Sequence, residues 1–292
     1  MAIPLTVIIG ENSAMPLTAN RLGYGSMRLT GEGVWGEPKN RPEALQILKR
    51  AVELGVNYID TADYYGDDVT NRLIAEALYP YTDNLIIGTK VGATRKPDKS
   101  WVPFNKPEEL RQSIENNLRT LKIDQVSLVH FRVMPGSPTA FEESLQAMFE
   151  MQQEGKILHV GLSNISREQL EKGLTMGKIA SVQNLYGYTQ RTTLAGPMGG
   201  AGGEEVIDLL EENHIPLIPY FSLQTGLSKE QEKIAELAKK YELTIAQMNI
   251  TWLLHKSPWI LPIPGTTSLI HLEENMKAAH IELSAADMAY LG

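Results

Sequence analysis

Gly55-Val56-Asn57-Tyr58-Ile59-Asp60-Thr61-Ala62-Asp63-Tyr64-Tyr65-Gly66 is the stretch on which the fold turns. Just upstream, Arg41 to Leu54 places Ala44, Ile47, Leu48 and Ala51 on one face, the spacing of an amphipathic helix. Gly55 ends that period. Val56 to Ile59 is then a short apolar run of strand type, and it stops at a charge, Asp60. The same unit recurs. Leu85-Ile86-Ile87-Gly88-Thr89 stops at Lys90, and Val126-Ser127-Leu128-Val129 stops at His130. Further short β-rich runs centre on Val160, Val182, Ile218 and Leu261.

Helical periods fill the intervals. Pro107 to Leu121 aligns Leu110, Ile114 and Leu118, with Pro107 suited to a first turn. Phe141 to Glu154 carries Leu145, Met148 and Phe149 and is stopped by Gly155; Ser166 opens another helix that Gly177 closes, and Glu204 to Glu212 reads as one more. Strand and helix alternating at this spacing predict parallel strands with crossover helices. A chain of 292 residues is close to the usual length of one eight-stranded example. The expected fold is therefore α/β, a (β/α)8 TIM barrel forming one domain over residues 1–292. Leu5-Thr6-Val7-Ile8-Ile9-Gly10, turn residues and Leu17 predict an N-terminal β-hairpin before the first barrel strand. Gly196 to Gly203 reads as a flexible loop.

Composition removes several function classes. The net charge of −8 argues against a nucleic-acid or acidic-membrane binder, which needs a basic face. No apolar stretch is long enough to span a bilayer, and Met-Ala-Ile-Pro-Leu lacks the pattern of a secretory signal. The chain has no cysteine, which excludes disulfides, thiolate nucleophiles and Cys-ligated metals and fits a cytoplasmic location. The histidines lack metal-binding spacing, and no Gly-x-Gly-x-x-Gly follows a first strand.

In a parallel barrel, Asp60, Lys90 and His130 stand at three strand ends, and Tyr65 lies five residues beyond Asp60. All four side chains can then converge at the C-terminal face. A phenol normally titrates near pH 10 and needs a nearby cation to act as an acid at neutral pH. Lys90 can supply that cation, Asp60 can hold Lys90 charged and oriented, and His130 can meet a substrate carbonyl oxygen and steer it toward Tyr65. Singly, each has a plainer reading: Asp60 caps a turn, Tyr65 is a wall aromatic, Lys90 pairs with any carboxylate, His130 is a satisfied core histidine. Four together on successive strand ends argue for carbonyl reduction.

These residues carry a resemblance. Gly55 to Ala62 followed by Tyr65-Gly66, Lys90 in Gly88-Thr89-Lys90, and His130 after Leu128-Val129 resemble the catalytic signatures of the aldo-keto reductases, over nearly the full chain. The resemblance implies a nicotinamide cofactor. Gly161-Leu162-Ser163-Asn164 and Val182-Gln183-Asn184 resemble the family's carboxamide contacts, so Ser163, Asn164 and Gln183 take that role. Tyr220 stands where the family stacks an aromatic ring on the nicotinamide. Ile263-Pro264-Gly265-Thr266 followed by Glu274-Asn275 resembles the adenosine-phosphate segment. There the family often has an Arg before the Glu-Asn pair, and this chain has His271. Thr266, Thr267 and Ser268 offer hydroxyls near a helix start, a favourable place for phosphate, and NADPH is the expected cofactor. The plainer reading of those hydroxyls is helix capping.

Within the family, Asn20 to Gly25, Val69-Thr70-Asn71, Ala77 to Tyr81 and Arg132-Val133-Met134 resemble bacterial pyridoxal reductase-type members. Arg132 lies two residues beyond His130, so in a strand both side chains point the same way. A cation over the mouth, with Trp35 and Trp101 on neighbouring loops, suits a small planar carbonyl substrate such as pyridoxal. The plainer reading pairs Arg132 with Glu32 or Glu37. Two rival functions stand beside the reductase: a nicotinamide-binding barrel acting as a non-catalytic regulatory subunit, and a metal-dependent hydrolase. The regulatory subunit needs none of Asp60, Tyr65, Lys90 and His130 together, and insensitivity to a chelator would exclude the hydrolase.

Overall fold

The computed structural model describes residues 3–194, 200–223 and 229–292. At its start, β1 (Thr6–Ile9) and β2 (Leu17–Asn20) pair antiparallel, Ile9 opposite Leu17, which is the expected hairpin. The parallel sheet then runs through β3 (Tyr24–Gly25), β4 (Tyr58–Asp60) and β5 (Ile86–Arg95); β6 (Trp101–Phe104) folds back antiparallel on the far end of β5. It continues with β7 (Val126–Arg132), β8 (Ile157–Ser163) and β9 (Val182–Gln183). The helices are α1 (Arg41–Glu53), α2 (Val69–Leu78), α3 (Pro107–Leu121), α4 (Phe141–Gln153), α5 (Arg167–Met176), α6 (Ile207–Glu212), α7 (Lys229–Lys240), α8 (Ile245–Lys256), α9 (Leu269–Lys277) and α10 (Ala285–Leu291).

The last two barrel strands contract to single parallel bridges, Val182 with Leu217 and Leu217 with Ile260. Prolines explain this. Pro216 and Pro219 flank one site, Pro258 and Pro262 the other, and none can donate to a ladder. The Gly23 N–H donates to the Pro262 carbonyl at 2.9 Å and joins the last strand position to the first. The (β/α)8 barrel is thereby closed.

Three expectations change in detail. The helix read from Glu204 begins at Ile207, after a turn. The strand expected to end at Lys90 bends at Gly92, where φ is +105°, runs on to Arg95 and makes a hairpin with β6 that turns between Arg95 and Trp101. Of the glycine stretch 196–203, residues 196–199 lie outside the described residues. Gly200 and Gly202 are not loose: they bridge Leu194 and Leu185.

Inside the barrel, Tyr58, Ile86, Leu128, Ala180, Ile218, Leu261 and Ile263 form one buried cluster, and Val7, Ile9 and Ala19 of the hairpin close its lower end. Larger clusters lie between the strands and the helices. The helix ends follow local chemistry: Asn40 caps α1, while Ser166 and Thr244 each form a capping box with a Gln three residues on. The fold thus seals one end of the barrel with apolar hairpin residues and leaves polar strand ends at the other.

Candidate functional site

β5 and β7 lie in register with Lys90 opposite His130, so both side chains point to the same side of the sheet. β4 sits beside them with Asp60 opposite Gly88. Gly88 must be glycine, because a Cβ there would come within 2.2 Å of the Tyr58 hydroxyl. The Tyr58 ring fills that space under the strand ends and is fully buried.

Above it the charges meet. Lys90 Nζ lies 2.7 Å from Asp60 Oδ2 and donates also to the Thr61 carbonyl at 2.9 Å. The pair is almost wholly buried, with side chains 3% and 4% exposed. Gln183 Nε2 donates to the other Asp60 oxygen at 2.8 Å. The turn after β4 returns Tyr65 over this pair, its N–H bonded to the Ala62 carbonyl, and the Lys90 ammonium lies 4.8 Å from the Tyr65 ring centroid. The four residues predicted to converge do so.

Two details depart from expectation. Burial, and after it the Asp60 carboxylate, pushes the Tyr65 phenol well above its ordinary value; Arg132 opposes this. The phenol is therefore held protonated rather than poised near neutrality. The physical reason is that burial disfavours the phenolate more than the nearby cations favour it, the Lys90 ammonium being committed to Asp60 and Thr61. His130 is fully buried, and burial, with Lys90 beside it, lowers its imidazole to about 3, so it is neutral at physiological pH. Its Nε2 lies 2.8 Å from Ser181 Oγ. The expected carbonyl contact is thus occupied by a protein hydroxyl.

The residues expected to face a carboxamide are divided. Ser163 Oγ and Gln183 Oε1 are buried at neighbouring strand ends, Ser163 opposite Gln183 in register, and neither atom has a hydrogen-bond partner among the described residues. A hydroxyl that can donate beside an amide oxygen that can accept is complementary to a carboxamide. Asn164 is already engaged: its Oδ1 accepts from the Tyr220 hydroxyl at 3.1 Å and the Ala201 N–H at 2.8 Å, and its Nδ2 donates to the Val133 carbonyl. Tyr220 is half-buried at the mouth, with the Arg132 guanidinium 5.4 Å from its ring centroid.

At the start of α9, Ser268 accepts from the His271 N–H, and Thr266 Oγ1 accepts from the Ser268 N–H. The capping reading of these two hydroxyls is therefore realised, though each hydroxyl proton stays available for donation. Thr267 and His271 are exposed, Glu274 is half-buried, and Asn275 is buried in the last turn of α9. Thr267 shares a cleft of about 530 Å³ with Met27 to Val34. That cleft holds an exposed cation that no sequence motif singles out, Arg28, with no ion-pair partner among the described residues. The signal was its place just after β3, which required knowing where the first strand ends.

Arg132 has no carboxylate within ion-pair distance among the described residues; Glu37 instead pairs with Arg41 and Arg72. The plainer reading of Arg132, an ion pair with Glu32 or Glu37, therefore fails. Its charge reaches Tyr64, Tyr65 and Tyr220 and lowers all three phenols against the effect of burial. Trp101 packs edge-to-face on Tyr64, which packs the same way on Tyr65. Trp35 and Trp101 both lie over Arg95.

This arrangement matches known proteins. The model of the Aldo/keto reductase family matches residues 21–292. Pyridoxine 4-dehydrogenase of Escherichia coli is 41% identical over 272 residues, covering 91% of this chain and 92% of that protein. A thermostable aldo-keto reductase solved with the inhibitor epalrestat superimposes with a TM-score of 0.82 at 29% identity, covering 99% and 98% of the two chains. An aldo/keto reductase of Klebsiella pneumoniae, solved with NADP and acetate, has the same fold, with a TM-score of 0.78 at 22% identity and 99% and 94% coverage. A closed barrel with a buried Asp–Lys pair under a tyrosine, matched along nearly its whole length, is a nicotinamide-dependent oxidoreductase, and the chain belongs to the aldo/keto reductase family.

Proposed function

We propose that the protein reduces a small aldehyde or ketone with NADPH, with Tyr65 as the proton donor. The observation that carries this reading is the buried Asp60–Lys90 pair lying against the Tyr65 ring. A buried ion pair brings little stability, because desolvation offsets its attraction, so its place under an otherwise protonated phenol calls for a chemical reason. As Tyr65 gives up its proton the phenolate gains a cation at the ring, and Lys90 cannot move away because Asp60 and Thr61 hold it. Ser163 and Gln183 orient the carboxamide, Tyr220 offers its ring, and a bound nicotinamide supplies the hydride. For the His130 imidazole to meet a carbonyl oxygen, Nε2 must leave Ser181. The test is loss of the reduced-nicotinamide absorbance when a panel of aldehydes is added; no turnover with any member sinks the proposal.

For the cofactor, the proton-bearing hydroxyls of Thr266 to Ser268, the α9 N-terminus and His271 support a 2′-phosphate, and Arg28 adds a charge in the adjoining cleft. The Klebsiella relative in the fold binds NADP. NADPH is expected to be used with a higher kcat/KM than NADH, by roughly tenfold or more, the worth of a charge-assisted phosphate contact. Steady-state constants for the two cofactors decide it, and equal efficiency removes the preference.

For the substrate, the reading is pyridoxal. It is planar, carries an aldehyde and has an ionisable ring hydroxyl, and Arg132 stands over Tyr220 with no carboxylate paired to it among the described residues. The E. coli relative acts on pyridoxine by its name. Arg132→Ala is expected to raise KM for pyridoxal by about tenfold or more, as loss of a charge-assisted contact worth ~1.5–3 kcal/mol requires, and to affect a neutral aromatic aldehyde far less. Equal effects on both would assign Arg132 to the protein's own architecture.

A further inference from the structure

The first loop and the β5–β6 hairpin both border Tyr65, and a single side chain ties them together. Arg95 stands on β5 three residues past Gly92, where the strand kinks away from the barrel. Its Nη1 donates to the Val34 carbonyl at 3.2 Å and its Nη2 to the Gly33 carbonyl at 3.0 Å, both in the loop after β3. Nη2 and Nε donate to the Lys99 carbonyl at 2.7 and 3.0 Å, in the turn of its own hairpin. All three acceptors belong to residues with positive φ: Gly33 at +72°, Val34 at +59° and Lys99 at +67°. For Val34, a β-branched residue, that conformation is strained and needs outside support. The guanidinium also lies between two rings, 5.7 Å from the Trp35 centroid and 4.2 Å from that of Trp101. No carboxylate pairs with Arg95 among the described residues, so its donors serve the backbone alone.

The consequence reaches the site. The Val34 carbonyl also accepts from the Gly66 N–H at 3.3 Å, next to Tyr65. Val34 packs against the cluster of Ala62, Tyr64, Tyr65 and Ala93, and Trp101 packs on Tyr64. We propose that Arg95 is a positioning residue for substrate: it clamps the first loop to the β5–β6 hairpin and so sets the Val34–Trp101 wall beside Tyr65, which selects planar aromatic carbonyl compounds over small aliphatic ones. Arginine is required because one planar fork reaches three carbonyls while stacking between two indoles. A lysine ammonium can do neither together.

This rests on the reductase reading, and the test separates the two. Arg95→Lys and Arg95→Met are each compared with wild type on a planar aromatic aldehyde and on propanal, and amide hydrogen exchange is followed over residues 31–36 and 95–101. KM for the aromatic aldehyde is expected to rise on the order of tenfold in both variants, about 1.4 kcal/mol of binding, with kcat within about twofold and the constants for propanal changed far less. Exchange in the two segments should quicken while the barrel strands keep wild-type protection. A wild-type KM and wild-type exchange in Arg95→Met overturn the clamp. Equal losses on both aldehydes, or a lysine variant indistinguishable from wild type, overturn the selectivity role. If the wild-type protein reduces no aldehyde, the reductase proposal fails and the exchange measurement alone judges the clamp.

Discussion

Tyr65→Phe is expected to lower the turnover of carbonyl reduction by roughly 10² to 10⁴, the range of a positioned general acid. The ring stays, so the edge contact with Tyr64 and the face presented to Lys90 persist, and the change removes one oxygen and its proton. Because burial raises the phenol well above its ordinary value, the acid stays protonated across the neutral range, and wild-type kcat should not fall with rising pH through Tyr65 ionisation below about pH 9. Cofactor affinity should survive, since no contact assigned to the cofactor uses the Tyr65 hydroxyl. Steady-state kinetics together with a fluorescence titration of NADPH would separate the two effects. Near-normal turnover in the variant would remove Tyr65 from the mechanism and with it the chemical reason for the ion pair beneath.

The catalytic candidates were readable because each ends or follows a short apolar run, and a parallel barrel places strand ends together whatever its details. Asp60, Lys90 and His130 needed only the alternation of periods to be gathered, and Tyr65 only its distance from Asp60. What could not be read is how they are held. The Gln183–Asp60 bond joins residues 123 apart in sequence, and the Ser181–His130 contact crosses between strands; both depend on register and closure. The first barrel strand, Tyr24–Gly25, is two residues long and carries no β-branched residue, so its position, and with it Arg28, was invisible. Apolar content points to Ile218 and Leu261, and both lie in the last two strands, where their N–H groups donate to Val182 and Leu217; the flanking prolines confine the bridges to their neighbours Leu217 and Ile260. The hairpin from β5 to β6 looks like loop in sequence because Gly92 to Phe104 mixes charges with aromatics and lacks a two-residue period; its form depends on the Arg95 carbonyl contacts, which no local pattern encodes.

Lys90→Met should damage stability and catalysis by different routes, and a second substitution can tell them apart. The lysine ammonium is the ion-pair partner of Asp60, and both groups are nearly excluded from water. Replacing Lys90 by an apolar side chain of similar length leaves a carboxylate with only the Gln183 amide for support, a loss of about 3–5 kcal/mol and on the order of 10 °C in Tm. Adding Asp60→Asn removes the stranded charge and keeps an oxygen able to accept from Gln183. Most of the lost stability should therefore return in the Asp60→Asn/Lys90→Met double variant, with a coupling well above 1 kcal/mol for two groups in direct contact. Turnover should not return. The phenolate formed at Tyr65 would still lack its cation, and kcat should stay down by roughly 10² or more, in line with loss of a preorganised charge at a water-excluded centre. Thermal melts and single-turnover kinetics on Lys90→Met, Asp60→Asn and the double variant give both numbers. A double variant that recovers activity along with stability would mean that Lys90 serves the fold alone, and proton donation by Tyr65 would need another source of stabilisation.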